Sequence, residues 1–326
     1  MKLKRDHFVP QVYLKNFLRP VLSRRNPVLW IYPKSHPECY ASSTRDTAHR
    51  IGFYGPNVDS YLRVVESAIG PILGRWQLSG AIPTAHEKEI MARYVATQFV
   101  RTPKWAGVMQ LEGRAGMIAL IERRAEMAGL DLREYLSMSM NTSDEREIQL
   151  VLGQMKNPDA HGGIPVHESH AQILGFIGVE NRALELLKMN WTILECHHSR
   201  FFITGDTPAI GFRLLPDGRP ELGFCPNMQD FQMSLPISPQ QCLVIHHARV
   251  PDGRLWVGRR MIDELNRRMA FSCDKIIISP HRNDHVSSLV REMSLPESQP
   301  KFDHNEAKEV WRRIFLGTAG EEKQPT

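Results

Sequence analysis

Up to about residue 190, apolar residues recur mostly at helical spacing. Over the next 90 or so, short β-favouring runs alternate with turn residues. The chain opens on His7-Phe-Val-Pro-Gln-Val-Tyr-Leu-Lys-Asn-Phe17, where Pro10 suits a first helical turn and Tyr13, Leu14 and Phe17 share a face. Val28 to Tyr32 reads as a strand between prolines, and 34–56 as a long ordered loop. From Val58 to Trp76, Leu62, Val65, Ile69, Ile72 and Leu73 make a helical stripe, with Glu66 close to it. Thr84 and Glu87 form a capping-box pattern ahead of a long helix carrying Ile90, Met91, Tyr94, Val95 and Phe99. On that helix Gln98 and Arg101 stand three apart, hence on one face, and Thr102-Pro103 should break it. Helical pattern resumes over 105–128, 144–156 and 166–188, with a loop at 157–165.

Trp191 to Cys196 and Phe201 to Thr204 then predict a hairpin. Further strands are predicted at 231–237, 242–246 and 275–279, with a short helix at 261–271 and a terminal helix at 306–315. Turns rather than crossover helices join these strands, so the sheet should be mostly antiparallel. The expected fold is α+β: a helical layer from the first 190 or so residues packed on a sheet from the C-terminal part, with the 28–32 strand at its edge. One domain over 1–316 and a flexible tail over 317–326 are expected.

Composition narrows the function classes. At 42% hydrophobic and 24% charged, the 326 residues match a soluble globular protein. A balance of 41 basic to 36 acidic residues permits a nucleic-acid partner without requiring one. The 5 cysteines include no Cys-x-x-Cys pair, which argues against a disulfide framework or thiolate zinc site and for a reducing compartment. The charged N-terminus lacks the apolar stretch of a signal peptide, and no apolar run is long enough for a transmembrane helix. The cytoplasm, and no membrane association, is the expectation. Phosphate-binding glycine loops and the Gly-x-Ser-x-Gly elbow are absent.

Several motifs together resemble the bacterial family labelled domain of unknown function 4238. His7-Phe-Val-Pro-Gln-x-Tyr-Leu-x-x-Phe17 is similar to its opening signature. Glu66 matches a helical acidic position, and Gln98-x-x-Arg101-Thr102-Pro103 a helical element. Phe202-Ile-Thr-Gly-Asp206-x-Pro208 matches another element, with Gly205 where serine is common. Leu235-Pro-Ile-Ser-Pro239 and Asn266 fit the family's later strand and last helix. The resemblance spans nearly the whole chain and implies a shared fold and polar set, but no settled activity.

The candidate chemistry gathers around Asp206, a carboxylate where an apolar strand ends. Paired with His7, it can orient a general base; alternatively Asp206 closes an Asx turn and His7 anchors a helix. Gln98 and Arg101 suit phosphate or carboxylate binding, with Asn266 as a further substrate contact; alternatively Arg101 pairs internally with Glu66 or Asp206. Glu66, Asp206 and His7 together can hold a divalent metal, magnesium or manganese. The leading expectation is a hydrolase acting on a phosphate-containing substrate, foremost a nucleic acid. The alternative is a non-catalytic protein in which the same residues form a buried network. His167 and His170, three apart, are a weak ligand pair. His197-His198 and His246-His247 are expected in solvated positions. Arg259-Arg260 and Arg267-Arg268 flank a short helix and either form a solvated face, the leading expectation, or touch phosphates.

Overall fold

A computed structural model describes residues 5–18, 27–36, 38–54, 56–79, 82–108, 121–122, 125–126, 128–140, 142–156, 176, 178–197, 199–215, 220–248 and 252–294. His167, His170, the 157–165 loop, the 306–315 helix and the 317–326 tail lie outside them. The chain divides into two compact units. One comprises Met1–Thr102 with Gly178–Thr326, the other Pro103–Ile177.

The first unit contains helices and antiparallel or mixed sheets, an α+β architecture. Its strands are β1 (Arg5–His7), β2 (Leu29–Pro33), β3 (Tyr40–Ser42), β4 (His49–Ile51), β5 (Asn190–Glu195), β6 (Thr204–Gly205), β7 (Ile210–Leu214), β8 (Pro220–Leu222), β9 (Gln232–Ser238), β10 (Gln241–His246), β11 (Gly253–Trp256) and β12 (Ile276–Ser279). A 6-stranded sheet has the order β11-β5-β10-β9-β7-β8, a 4-stranded sheet the order β3-β2-β12-β6, and β1 pairs with β4 in a ribbon. Every pairing is antiparallel except β11 beside β5.

Two expectations are corrected. Phe201 to Thr204 is not the hairpin partner of β5, because β6 pairs with β12 in the other sheet. The 28–32 strand is not an edge either, since β2 lies between β3 and β12. An apolar run announces a strand but not its neighbour, which long-range pairing selects.

Helix α1 (Gln11–Leu14) starts at Pro10, whose carbonyl accepts from Tyr13 and Leu14. Helix α2 (Pro56–Ser79) carries the stripe read from the sequence, with Leu62, Ile69, Ile72 and Leu73 buried. Helix α3 (Ala85–Val100) begins with the expected capping box between Thr84 and Glu87. Helix α6 (Val179–Leu187) packs on α3. Two later helices, α7 (Arg259–Ser272) and α8 (Asp284–Ser294), cover the sheets. Met261, Ile262 and Leu265 of α7 pack with Leu194, Phe202 and Val244. One and two turns on, Met269 and Ala270 pack with Ile203, Phe212 and Ile277. α7 therefore closes two adjoining cores. Phe202 and Ile203 point into different ones, as successive residues of an extended chain must.

In the second unit, α4 (Leu132–Met140) and α5 (Glu145–Lys156) pack together, burying Leu136, Ile148 and Met155.

Candidate functional site

The residues singled out from the sequence separate into two groups, both in the first unit. Asp206 and Asn266 belong to a scaffold. The Asp206 carboxylate accepts backbone N–H groups from Asp274 at 2.9 Å, Lys275 at 2.6 Å and Ile276 at 3.0 Å, fixing the entry into β12. Burial raises its pKa, and those three bonds oppose the rise. It is neither the orienter of His7 nor a group facing a cleft; its oxygens are committed to backbone 68 to 70 residues away rather than to the turn that follows it. Asn266 is corrected likewise. Its Oδ1 accepts from the Ile203 N–H at 3.0 Å and its Nδ2 donates to the Phe201 carbonyl at 3.0 Å. An extended segment with no strand neighbour there is thus bonded to a helix side chain instead, as buried backbone requires.

The same scaffold joins the N-terminal motif to the later ones. Tyr13 Oη donates to the Pro236 carbonyl at 2.5 Å and lies 2.8 Å from Thr204 Oγ1. Gly205 allows the close approach: a Cβ there would meet Cys273 Sγ at 2.0 Å and the Ile276 carbonyl oxygen at 2.8 Å.

The second group comprises His7, Glu66, Gln98 and Arg101, with Tyr94 and His49. Tyr94, Gln98 and Arg101 recur at i, i+4, i+7 from α3 into its C-cap, so they share a face. Arg101 is 1% exposed; its Nη2 donates to the His7 carbonyl at 2.5 Å and pairs with Glu66 Oε1 at 2.9 Å. Among the described residues its Nε and Nη1 have no hydrogen-bond partner of good geometry, and the Tyr54 ring lies 5.8 Å from the guanidinium carbon. Burial would lower its pKa, but Tyr54 and the Glu66 carboxylate reverse the direction, so the guanidinium stays charged. Gln98 is 0% exposed, and among the described residues neither its Nε2 nor its Oε1 is bonded and the Tyr94 hydroxyl is unpaired. Buried polar atoms normally find partners, so five unpaired ones on three side chains of one helix face mark a place built for something other than packing.

The Glu66 side chain is 30% exposed, and His7 is half-buried at the same place. Burial lowers the His7 pKa, with His49 and Arg101 adding to it against Glu66 and the bond to Arg45. That bond, from Nε2 to the Arg45 carbonyl at 3.0 Å, sets the tautomer: a carbonyl only accepts, so Nε2 carries the proton and Nδ1 keeps its lone pair. Sequence reasoning missed His49, which lies in a stretch read as loop.

The metal expectation is not met by these positions. Among the described residues no group of three or more His, Cys, Asp or Glu side chains is arranged to hold a metal ion. Asp206, one of the three proposed ligands, is spent on backbone. Two other expectations change. His246 is buried, with Nε2 at 2.9 Å from Thr192 Oγ1 and Nδ1 accepting from the Ala248 N–H. Arg268 is also buried, stacked 4.0 Å over Phe212 and paired with Glu264, so it meets no phosphate.

A family model described as protein of unknown function (DUF4238) matches residues 5–283, and the chain belongs to that family. No curated protein and no solved structure matches it. Among the described residues no helix is long and apolar enough to cross a membrane.

Proposed function

We propose that the chain is a hydrolase acting on a phosphate-containing substrate, with a nucleic-acid phosphodiester as the best-fitting class. The observation that carries this is the pair Gln98 and Arg101, wholly buried yet with N–H groups unpaired among the described residues, beside His7, whose pKa is lowered by burial and whose Nε2 is bonded to the Arg45 carbonyl. Unspent donors and a retained positive charge suit non-bridging phosphoryl oxygens. A neutral imidazole suits the proton of an attacking water. Asp206 takes no part, and no step is assigned to a metal. The chain's net charge of +5 favours a polyanion without specifying one.

The test is cleavage of mixed DNA and RNA by the full chain, in Mg²⁺, Mn²⁺ or chelator, beside His7→Ala. That variant keeps the backbone carbonyl that Arg101 holds. Cleavage lost in the variant supports the reading. No cleavage in any condition, together with no binding of inorganic phosphate, would remove it.

A second reading, a structural network, also has support. Arg101 Nη2 bridges His7 and Glu66, the Tyr54 hydroxyl donates to the Arg101 carbonyl at 2.6 Å, and the Tyr54 N–H donates to Asp6 at 3.0 Å. These bonds join β1, α2 and the end of α3. They leave Gln98 and Tyr94 unexplained.

A further inference from the structure

We propose that His49 is a second catalytic residue of this site, giving a proton to the leaving oxygen while His7 takes one from the attacking water. The inference rests on the phosphodiester reading above and adds a group that the sequence did not single out.

In the β1–β4 ribbon the register sets Arg5 opposite Ile51, Asp6 opposite Arg50 and His7 opposite His49. Residues directly opposite each other share a face, and the two imidazole centroids lie 5.6 Å apart. Asp6 and Arg50 take the other face, where Asp6 accepts the Tyr54 N–H. Among the described residues His49 Nδ1 is buried and has no hydrogen-bond partner, so none of them ties the ring into the scaffold there.

The backbone is bent to bring His49 to this position. Ala48, just before it, has φ 52°, the one positive φ outside glycine among the described residues. Its carbonyl receives the N–H groups of Phe8 at 3.0 Å and Val9 at 3.5 Å, directly after His7. A left-handed residue bearing a Cβ persists where its surroundings hold it, often at a working site.

The step balances with water as the only co-reactant. A water O–H proton passes to His7 Nδ1 as the new P–O bond forms. The P–O bond to the leaving group breaks, and that oxygen takes a proton from the imidazolium of His49. His7 ends protonated and His49 neutral, and proton exchange with solvent restores both. Gln98 and Arg101 hold the non-bridging oxygens.

The experiment compares two phosphodiesters of thymidine, one with an alkoxide leaving group and one with 4-nitrophenolate, which departs without a proton. The full-length wild type, His7→Ala, His49→Ala and His49→Gln are assayed, each first shown to melt cooperatively. Loss of a general acid should cost about 10²–10⁴-fold on the alkoxide substrate. The His49 variants should stay within a few-fold of wild type on the nitrophenyl ester, while His7→Ala loses both. Equal losses on the two substrates, or none, with an active wild type would overturn the role of His49 and leave the hydrolase reading standing. A wild type inactive on both substrates and on mixed DNA and RNA, and binding no inorganic phosphate, would overturn the hydrolase reading, and the His49 role with it.

Discussion

The substitution Gln98→Met tests whether α3 carries a prepared binding site, because an unbonded buried amide and a bonded one give it opposite signs in stability. Gln98 is 0% exposed, and both ends of its amide lack a partner. Burying an amide without compensation costs about 1–3 kcal/mol by mutational measure. Methionine has nearly the same length and helix propensity, so it fills the same volume on α3 and removes that cost. The folded state should gain about 1–3 kcal/mol. The assay is urea unfolding followed by tryptophan fluorescence, with unchanged slope and a raised midpoint. Phosphate titration calorimetry on the same variant should show binding lost, because the amide donors are gone while the Arg101 charge remains. Destabilisation by more than about 1 kcal/mol would mean that the amide is bonded in the folded protein, and the argument for a prepared site would fail.

Other outcomes follow from the scaffold. Asp206→Ala orphans three backbone donors, so at about 1–3 kcal/mol each it should cost at least about 3 kcal/mol in a denaturant titration; a near-neutral result would return Asp206 to the list of site residues. Asn266→Ala strands the Ile203 N–H and the Phe201 carbonyl, and should cost about 2 kcal/mol or more without changing phosphate affinity in the folded fraction. Gly205→Ala should destabilise through Cys273 and the Ile276 carbonyl. Adding Cys273→Ala should recover only part of the loss, because the carbonyl stays; full recovery in a thermal melt would contradict the geometry. His246 is pushed down from 6.5 to about 4, first by burial. The unfolded chain therefore takes the proton earlier, and its stabilising contribution is complete above pH 6.5 and lost as pH falls toward 4. About 3 kcal/mol should disappear over that window and be absent from the profile of His246→Gln; parallel profiles would refute the assignment.

Much of the fold was legible along the chain. The α2 stripe, the capping box of α3, the bulk of α7 and the strands β2, β5, β9, β10 and β12 follow from periodicity and caps, which are local properties. The strands β1, β3, β4, β7, β8 and β11 were not legible. Most are short; β1, β4 and β11 are held by partners distant in sequence, and β3 and β8 pair with nearby strands but carry no clear alternation of their own. The grouping of Gln98 with Arg101 was legible because helix geometry fixes it, and the pairing of Arg101 with Glu66 was one of the alternatives read. Which polar residues share a site was not local. Asp206 and Asn266 have the residue types of a catalytic set, yet tertiary packing commits every polar atom of their side chains to backbone. His49 sits in a stretch with no period, and only the ribbon register brings it to His7. The sequence by itself determined helices such as α2, α3, α5 and the bulk of α7 and which of their faces are apolar, while α4 and α8 were not read from it. Tertiary structure alone decided which buried polar groups were satisfied, because satisfaction depends on partners the chain brings in from 38 residues away, as for His7 and Arg45, or from 68, as for Asp206 and Asp274.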